Sequence, residues 1–146
     1  MAKLRIYHTW TNSIQILKQL QDEGYYICQR RFDYLKLLFN LPAKIALYLP
    51  DAETTPDEHI ALAGYIAELV VKHRRTIAVI VQSPYFMLSL PIILNSGIDP
   101  KDVEVYIVEK DKTHKVGLTP KGCPRTLGDK LNKVERLLWE VHVIDE

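Results

Sequence analysis

Residues 76–98 read TIAVIVQSPYFMLSLPIILNSGI, and no side chain among them carries a charge. An uncharged window of that length is long enough to cross a bilayer, so its reading decides between a membrane segment and the interior of an α/β domain. The first six residues, Thr76 to Val81, are mostly β-branched, and Gln82, Ser83, Ser89 and Asn95 interrupt the remainder of the stretch. Pro84 and Pro91 suit the first turn of a helix better than its interior. A buried strand TIAVIV leading into a helix over SPYFMLSLPIILN accounts for the pattern, and no membrane span is expected.

On either side the same texture continues. KIALYL (Lys44 to Leu49) and VEVYIVE (Val103 to Glu109) are short apolar runs of the kind found in strands buried on both faces. Between KIALYL and TIAVIV lies TTPDEHIALAGYIAELVVKH, which opens with a Thr cap, Pro56 and acidic residues, as the positive end of a helix dipole favours. Toward the amino terminus, LRIY (Leu4 to Tyr7) is a strand candidate. In TNSIQILKQLQDEGY, Ile14, Leu17 and Leu20 repeat at helical spacing until Gly24 closes the turn. YYIC offers a short strand and FDYLKLLFN a short helix ending before Pro42. Residues 110–126 form an irregular basic segment with room for one edge strand, and a closing helix is expected near residues 127–142.

Strand and helix alternate, so the expected fold is α/β: a mostly parallel sheet of about five strands with helices on both faces, Rossmann-like or P-loop-like without a P-loop. With 146 residues, 47% hydrophobic and 25% charged, the chain reads as one domain over residues 1–146. Nineteen basic against eighteen acidic residues give a net charge of +1, so binding to nucleic acid would need a local patch. Cys28 and Cys123 lie ninety-five residues apart without a CxxC spacing, and MAKLRIYHTWTNS has no signal-peptide core. Both features fit a cytoplasmic protein with reduced thiols.

Motifs of catalysis and cofactor binding are sparse. The turn after the first strand reads HTWTNS and has no glycine, so it cannot form the backbone nest of a Walker A or dinucleotide fingerprint. Asn12 and Ser13 there are placed to cap a helix or meet an anion. The histidines at 8, 59, 73, 114 and 142 show no paired metal-ligand spacing, and no GxSxG elbow occurs. No metal, no cofactor and no catalytic nucleophile is expected. Basic residues bunch at Lys72 to Arg75 and again from Lys110 to Arg136, where eight Lys or Arg face three acids. Nucleic acid could be touched through Lys110, Lys112, Lys115, Lys121, Arg125, Lys130 and Lys133. Without interleaved aromatics, a solvated charged surface explains that stretch as well.

Two further stretches carry a resemblance. LYLPDAETTPDEH (from Leu47) and IAVIVQSPYFMLSL (from Ile77) are separated by thirty-two residues, counted from Pro50 to Gln82. With the VEVYIVEK strand beyond them, the region Ala46 to Glu109 resembles the carboxy-terminal half of the ABC-like ATPases, the group containing the structural-maintenance-of-chromosomes proteins and the overcoming-lysogenization-defect ATPases. Their Walker B strand ends in DEPE, and their switch loop reads TTHSPYF. In that family the first acid holds magnesium, the second polarises the attacking water and the histidine contacts the γ-phosphate.

The resemblance places Pro50 on the magnesium ligand, Asp51 on the catalytic glutamate, Glu53 on the second glutamate and Gln82 on the switch histidine, with Ser83 next to it. Proline offers no side-chain ligand, aspartate is one methylene shorter than glutamate, and glutamine cannot carry the histidine's proton. The resemblance therefore implies a degenerate nucleotide pocket around Asn12, Ser13, Asp51, Glu53, Gln82 and Ser83, and a protein that no longer hydrolyses ATP. Its expected role is that of an accessory or interaction protein bound to a macromolecular partner, a protein in the first place. Two other readings are a small Rossmann-like enzyme acting on a nucleotide or nucleoside, with His8, Asp51, Glu53 and Glu58 as acids and bases, and a nucleic-acid-binding module using the basic carboxy-terminal third.

Overall fold

Val79 pairs on one side with Leu47 and on the other with Ile6, and all three are buried in the same apolar layer. That row runs through the centre of the sheet in the computed structural model, which describes residues 2–9, 14–28, 41–49, 56–82, 86, 90–109 and 112–118. The strands are β1 (Leu4–Thr9), β2 (Tyr26–Cys28), β3 (Lys44–Leu49), β4 (Thr76–Val81), β5 (Val103–Glu109) and β6 (Lys112–Val116). Three helices connect them among the described residues: α1 (Ile14–Asp22), α2 (Pro56–Val71) and α3 (Leu90–Leu94).

The sheet order is β2-β3-β4-β1-β5-β6. Five strands are parallel, and β6 turns back antiparallel on β5. The protein is thus α/β with a six-stranded, mostly parallel sheet. The count exceeds the expected five because YYIC and the basic segment each supply a short edge strand, at opposite sides of the sheet. The parallel neighbours LRIY, KIALYL, TIAVIV and VEVYIVE lie in one sheet as expected, and Ile45, Leu47, Ile77, Val79 and Val81 are buried.

One boundary differs from the sequence reading. The sequence places HTWTNS in the turn after β1, yet His8 and Thr9 continue the strand. They are drawn in because β1 is central: His8 lies in register with Val81 of β4 and Ile107 of β5, and Thr9 with Val108. Backbone partners from neighbouring strands outweigh the weak local preference of the dipeptide.

Alternation along the strands gives the two faces different chemistry. One face carries Leu4, Ile6, Ile45, Leu47, Ile77, Val79, Val81, Val103, Val105 and Ile107, against which α2 packs Ala63, Ile66, Ala67 and Val70 and α3 packs Leu90 and Ile93. The spacing 63, 66, 67, 70 is one helical stripe, and each fully buried Leu, Ile or Val contributes about 1.5–3 kcal/mol. The opposite face holds Tyr7, Ala46, Ala78, Ile80 and Val108, covered by Ile16 and Leu20 of α1. Helices therefore lie on both faces among the described residues.

Helix ends follow from local chemistry. At the end of α1, Gly24 has φ +92°, and the Tyr25 N–H reaches the Leu20 carbonyl at 2.9 Å, the closure that an αL residue permits. At the end of α2 that role falls to Arg74, with φ +53°, and the Arg75 N–H bonds the Leu69 carbonyl at 3.0 Å. No helix among the described residues is long and apolar enough to cross a membrane. FDYLKLLFN and the closing helix near 127–142 lie outside the described residues.

Candidate functional site

Parallel strands end together, and ligand sites in such sheets gather where their carboxyl ends meet. Here the order β3-β4-β1-β5 sets Leu49, Val81, Thr9 and Glu109 along one edge of the sheet. Of the residues singled out in the sequence, Gln82 stands there, half-buried, directly after β4. Asn12, Ser13, Asp51, Glu53 and Ser83 lie outside the described residues, although they adjoin the same strand ends in the chain: Asn12 and Ser13 come after β1, Asp51 and Glu53 after β3, and Ser83 after β4. Glu58 falls in the first turn of α2.

Two polar residues at this edge are absent from the pocket expected on the resemblance. His8 is fully buried on the face that packs against α2 and α3, between Val81 and Ile107. Burial in that apolar layer lowers its pKa below the usual histidine value, and contact with the Gln82 backbone partly offsets this. His8 is therefore neutral at pH 7. Thr9 is also fully buried, on the opposite face beside Val108, and its hydroxyl has no hydrogen-bond partner among the described residues. The edge of the central strand thus ends in two enclosed polar side chains.

A second polar constellation lies on the α1 face, nearer the amino ends of the strands. The Arg5 Nη1 atom bonds Glu23 Oε2 at 3.1 Å, and Arg5 Nε lies 3.8 Å from Glu104 Oε2. The Tyr106 hydroxyl donates to Glu104, and the Tyr7 and Tyr106 rings stack with centroids 5.0 Å apart. That hydrogen bond, above all, holds the Glu104 carboxyl below the usual carboxylate range, with Lys115 and Arg5 adding to it. Burial, then the bond to Glu104, pushes the Tyr106 hydroxyl up to about 12.

Tyr25 is buried beside Arg5 with its hydroxyl unpartnered among the described residues, and Lys44 Nζ lies 5.5 Å from its ring centroid. The period of two in LRIY and VEVYIVE contains the signal for this cluster, because Arg5, Tyr7, Glu104 and Tyr106 are the alternate positions that share a face. The arrangement ties the α1–β2 turn to β1 and β5. Its charges are internally paired, which suits a structural polar centre rather than a reacting one.

Of the basic residues assigned to possible nucleic-acid contact, Lys112 and Lys115 are exposed on β6, with Lys115 Nζ 3.8 Å from Glu104 Oε1. Lys110, Lys121, Arg125, Lys130 and Lys133 lie outside the described residues. Among the described residues, no three His, Cys, Asp or Glu side chains stand close enough to hold a metal. Cys28 is buried and in no disulfide. No protein-family model matches the chain, and neither a curated protein nor a solved structure matches it.

Proposed function

We propose that the chain is a Rossmann-like, P-loop-type domain derived from an ABC-like ATPase, that it has lost hydrolysis, and that it works as an accessory protein by binding a macromolecular partner. The observation that carries this reading is the strand order. Adjacent parallel strands β3, β4 and β1 set their last residues, Leu49, Val81 and Thr9, at one edge, and each is followed in the sequence by one of the resembling segments. Those segments begin PDAE, QSPYF and WTNS, the stretches aligned with the Walker B acids, the switch loop and the phosphate loop. The fold is thus compatible with an ancestral nucleotide site, while the residues needed for chemistry have been replaced together.

Pro50 removes the magnesium carboxylate, Gln82 removes the histidine, and HTWTNS removes the glycine cradle. Each element normally supplies several kcal/mol of phosphate or transition-state stabilisation. The burial of His8 and Thr9 at the end of the central strand speaks against catalysis by either, because neither side chain is presented to solvent. On this reading the protein resides in the cytoplasm and keeps Cys28 and Cys123 as thiols.

Calorimetry with Mg-ATP, together with a phosphate-release assay, tests the proposal. No heat of binding and no release are expected. Micromolar binding, or turnover abolished by Asp51→Asn, would overturn it in favour of the enzyme reading.

A further inference from the structure

The amino ends of the strands form the opposite edge of the sheet, and there the fold collects cations that are dispersed in the sequence. Thr76 opens β4 beside Lys44 of β3, and the Ile77 N–H bonds the Lys3 carbonyl at 2.9 Å, so Lys3 and Lys44 flank Thr76 on neighbouring strands. Adjacent strands are about 4.8 Å apart, so the two backbones stand about 10 Å from each other. The turn from α2 into β4 adds Lys72, Arg74 and Arg75 to the same edge.

Lys44 Nζ donates to the Glu23 carbonyl at 3.1 Å, whereas pairing leaves much of the charge at the α2–β4 turn available. Neither Arg74 nor Arg75 has an acidic partner within 4 Å among the described residues, and Arg75 Nε is a buried donor with no hydrogen-bond partner among them. Lys72 Nζ approaches Glu68 only at 3.9 Å, with its side chain 74% exposed, and Lys3 meets Asp102 at 3.5 Å. Exposed pairs of this kind exchange readily for another anion. Arg74 is moreover exposed and holds an αL conformation that glycine would adopt without cost.

We infer that this amino edge is a contact surface for the phosphate backbone of duplex nucleic acid, carried by Lys72, Arg74 and Arg75 with Lys3 and Lys44 at its side. The inference names the partner of the binding role proposed above, and it places contact on a different surface from the basic carboxy-terminal stretch. The cations are spread along an edge rather than convergent on one point, which fits a polyanion better than a single phosphate. Lysine is depleted in the cores of protein interfaces, whereas backbone phosphates are met by Lys and Arg. Tyr25, the ring beside Lys44, is buried and unable to stack on a base, and the exposed Tyr26 next to it is a single ring rather than a run of stacking platforms. A duplex therefore fits better than a single strand.

Fluorescence anisotropy of two unrelated 30-bp DNA duplexes, titrated with the full chain from 50 to 200 mM salt, tests this. Equal affinity for both sequences is expected, with a log–log salt slope of about −2.7 to −3.6, as for three or four neutralised phosphates. Arg74→Gly and Lys72→Gln should each weaken binding about three- to tenfold at 50 mM salt and flatten the slope by about one. Arg74→Gly should at the same time keep or raise the melting temperature, because the glycine relieves the αL backbone. Absence of duplex binding at 50 mM salt overturns the inference. So does binding that survives both substitutions but is lost on Lys112→Gln with Lys115→Gln, preference for one duplex, or capture by anionic phosphatidylserine vesicles without capture by DNA. Mg-ATP binding would overturn the non-catalytic reading while leaving this one standing, so the two failures are distinguishable.

Discussion

The rings of Tyr7 and Tyr106 stack across the β1–β5 pair, with centroids 5.0 Å apart and planes 14° from parallel. The two residues are register partners, so the parallel pairing itself sets the stack. It carries the Tyr106 hydroxyl onto Glu104, two residues back on the same face, where Arg5 and Lys115 add positive charge. Elements distant in the chain are thereby joined: the α1–β2 turn through Glu23, the central strand through Arg5 and the edge strand through Lys115.

Tyr106→Phe should cost about 1–2 kcal/mol by removing a hydrogen bond to a charged acceptor. It should also change the pH dependence at both ends. The Tyr106 pKa rises from 10.0 to about 12 on folding, so the native state holds that proton more tightly. Its contribution is complete below pH 10 and is lost as the pH rises toward 12. Glu104 is shifted the other way, so its contribution is complete above the ordinary value of 4.5 and is lost as the pH falls through the lowered native value. Urea unfolding between about pH 3 and 11 should show a flatter profile at both extremes in the variant.

His8 gives an independent pH signature. Its native pKa lies below 6.5, so the unfolded chain binds the proton more tightly and the stabilisation is complete above pH 6.5. It is lost as the pH falls below 6.5 toward the native value. The urea midpoint of the wild type should therefore fall more steeply between about pH 6.5 and 5 than that of His8→Gln. Equal slopes would show that His8 titrates as an exposed histidine does.

Val79 is fully buried at the centre of the sheet. Val79→Ala should cost about 1–3 kcal/mol through lost transfer energy and a residual cavity. Chemical denaturation with an unchanged m-value checks it.

Gly24 separates backbone from steric effects. A Cβ added there would meet no atom within 4 Å, but φ is +92°. Gly24→Ala should still destabilise by about 1 kcal/mol, through the backbone conformation alone. Gly24→Asn should cost less, since asparagine tolerates αL. A neutral alanine variant would indicate that the turn relaxes to negative φ.

The parallel strands were legible because each is a local signal: KIALYL, TIAVIV and VEVYIVE are apolar runs short enough to be strands and bounded by breakers. The helix expected within TTPDEHIALAGYIAELVVKH was legible for the same reason, from its Thr cap, Pro56 and early acids, and the structure places it at Pro56–Val71 with Ala63, Ile66, Ala67 and Val70 as its buried stripe. The extension of β1 through His8 and Thr9 was not, because it depends on ladders to β4 and β5 that the residues adjoining them in the chain do not contain. Among the expected pocket residues, Gln82 alone falls within the described residues, directly after β4.

The sequence by itself determined the α/β class, the four central strands and the absence of a glycine loop, since these rest on residue type and on periods of two or 3.6 within a few turns of chain. Only the tertiary structure decided the order β2-β3-β4-β1-β5-β6, the convergence of Arg5, Tyr7, Glu104 and Tyr106 on one face, and the gathering of Lys3, Lys44 and Arg74 at the amino edge. The physical reason is that strand order is chosen by the packing of whole layers. Which helix face covers which sheet face, and which strand accepts two neighbours, are properties of pairs of segments, and no single segment encodes them.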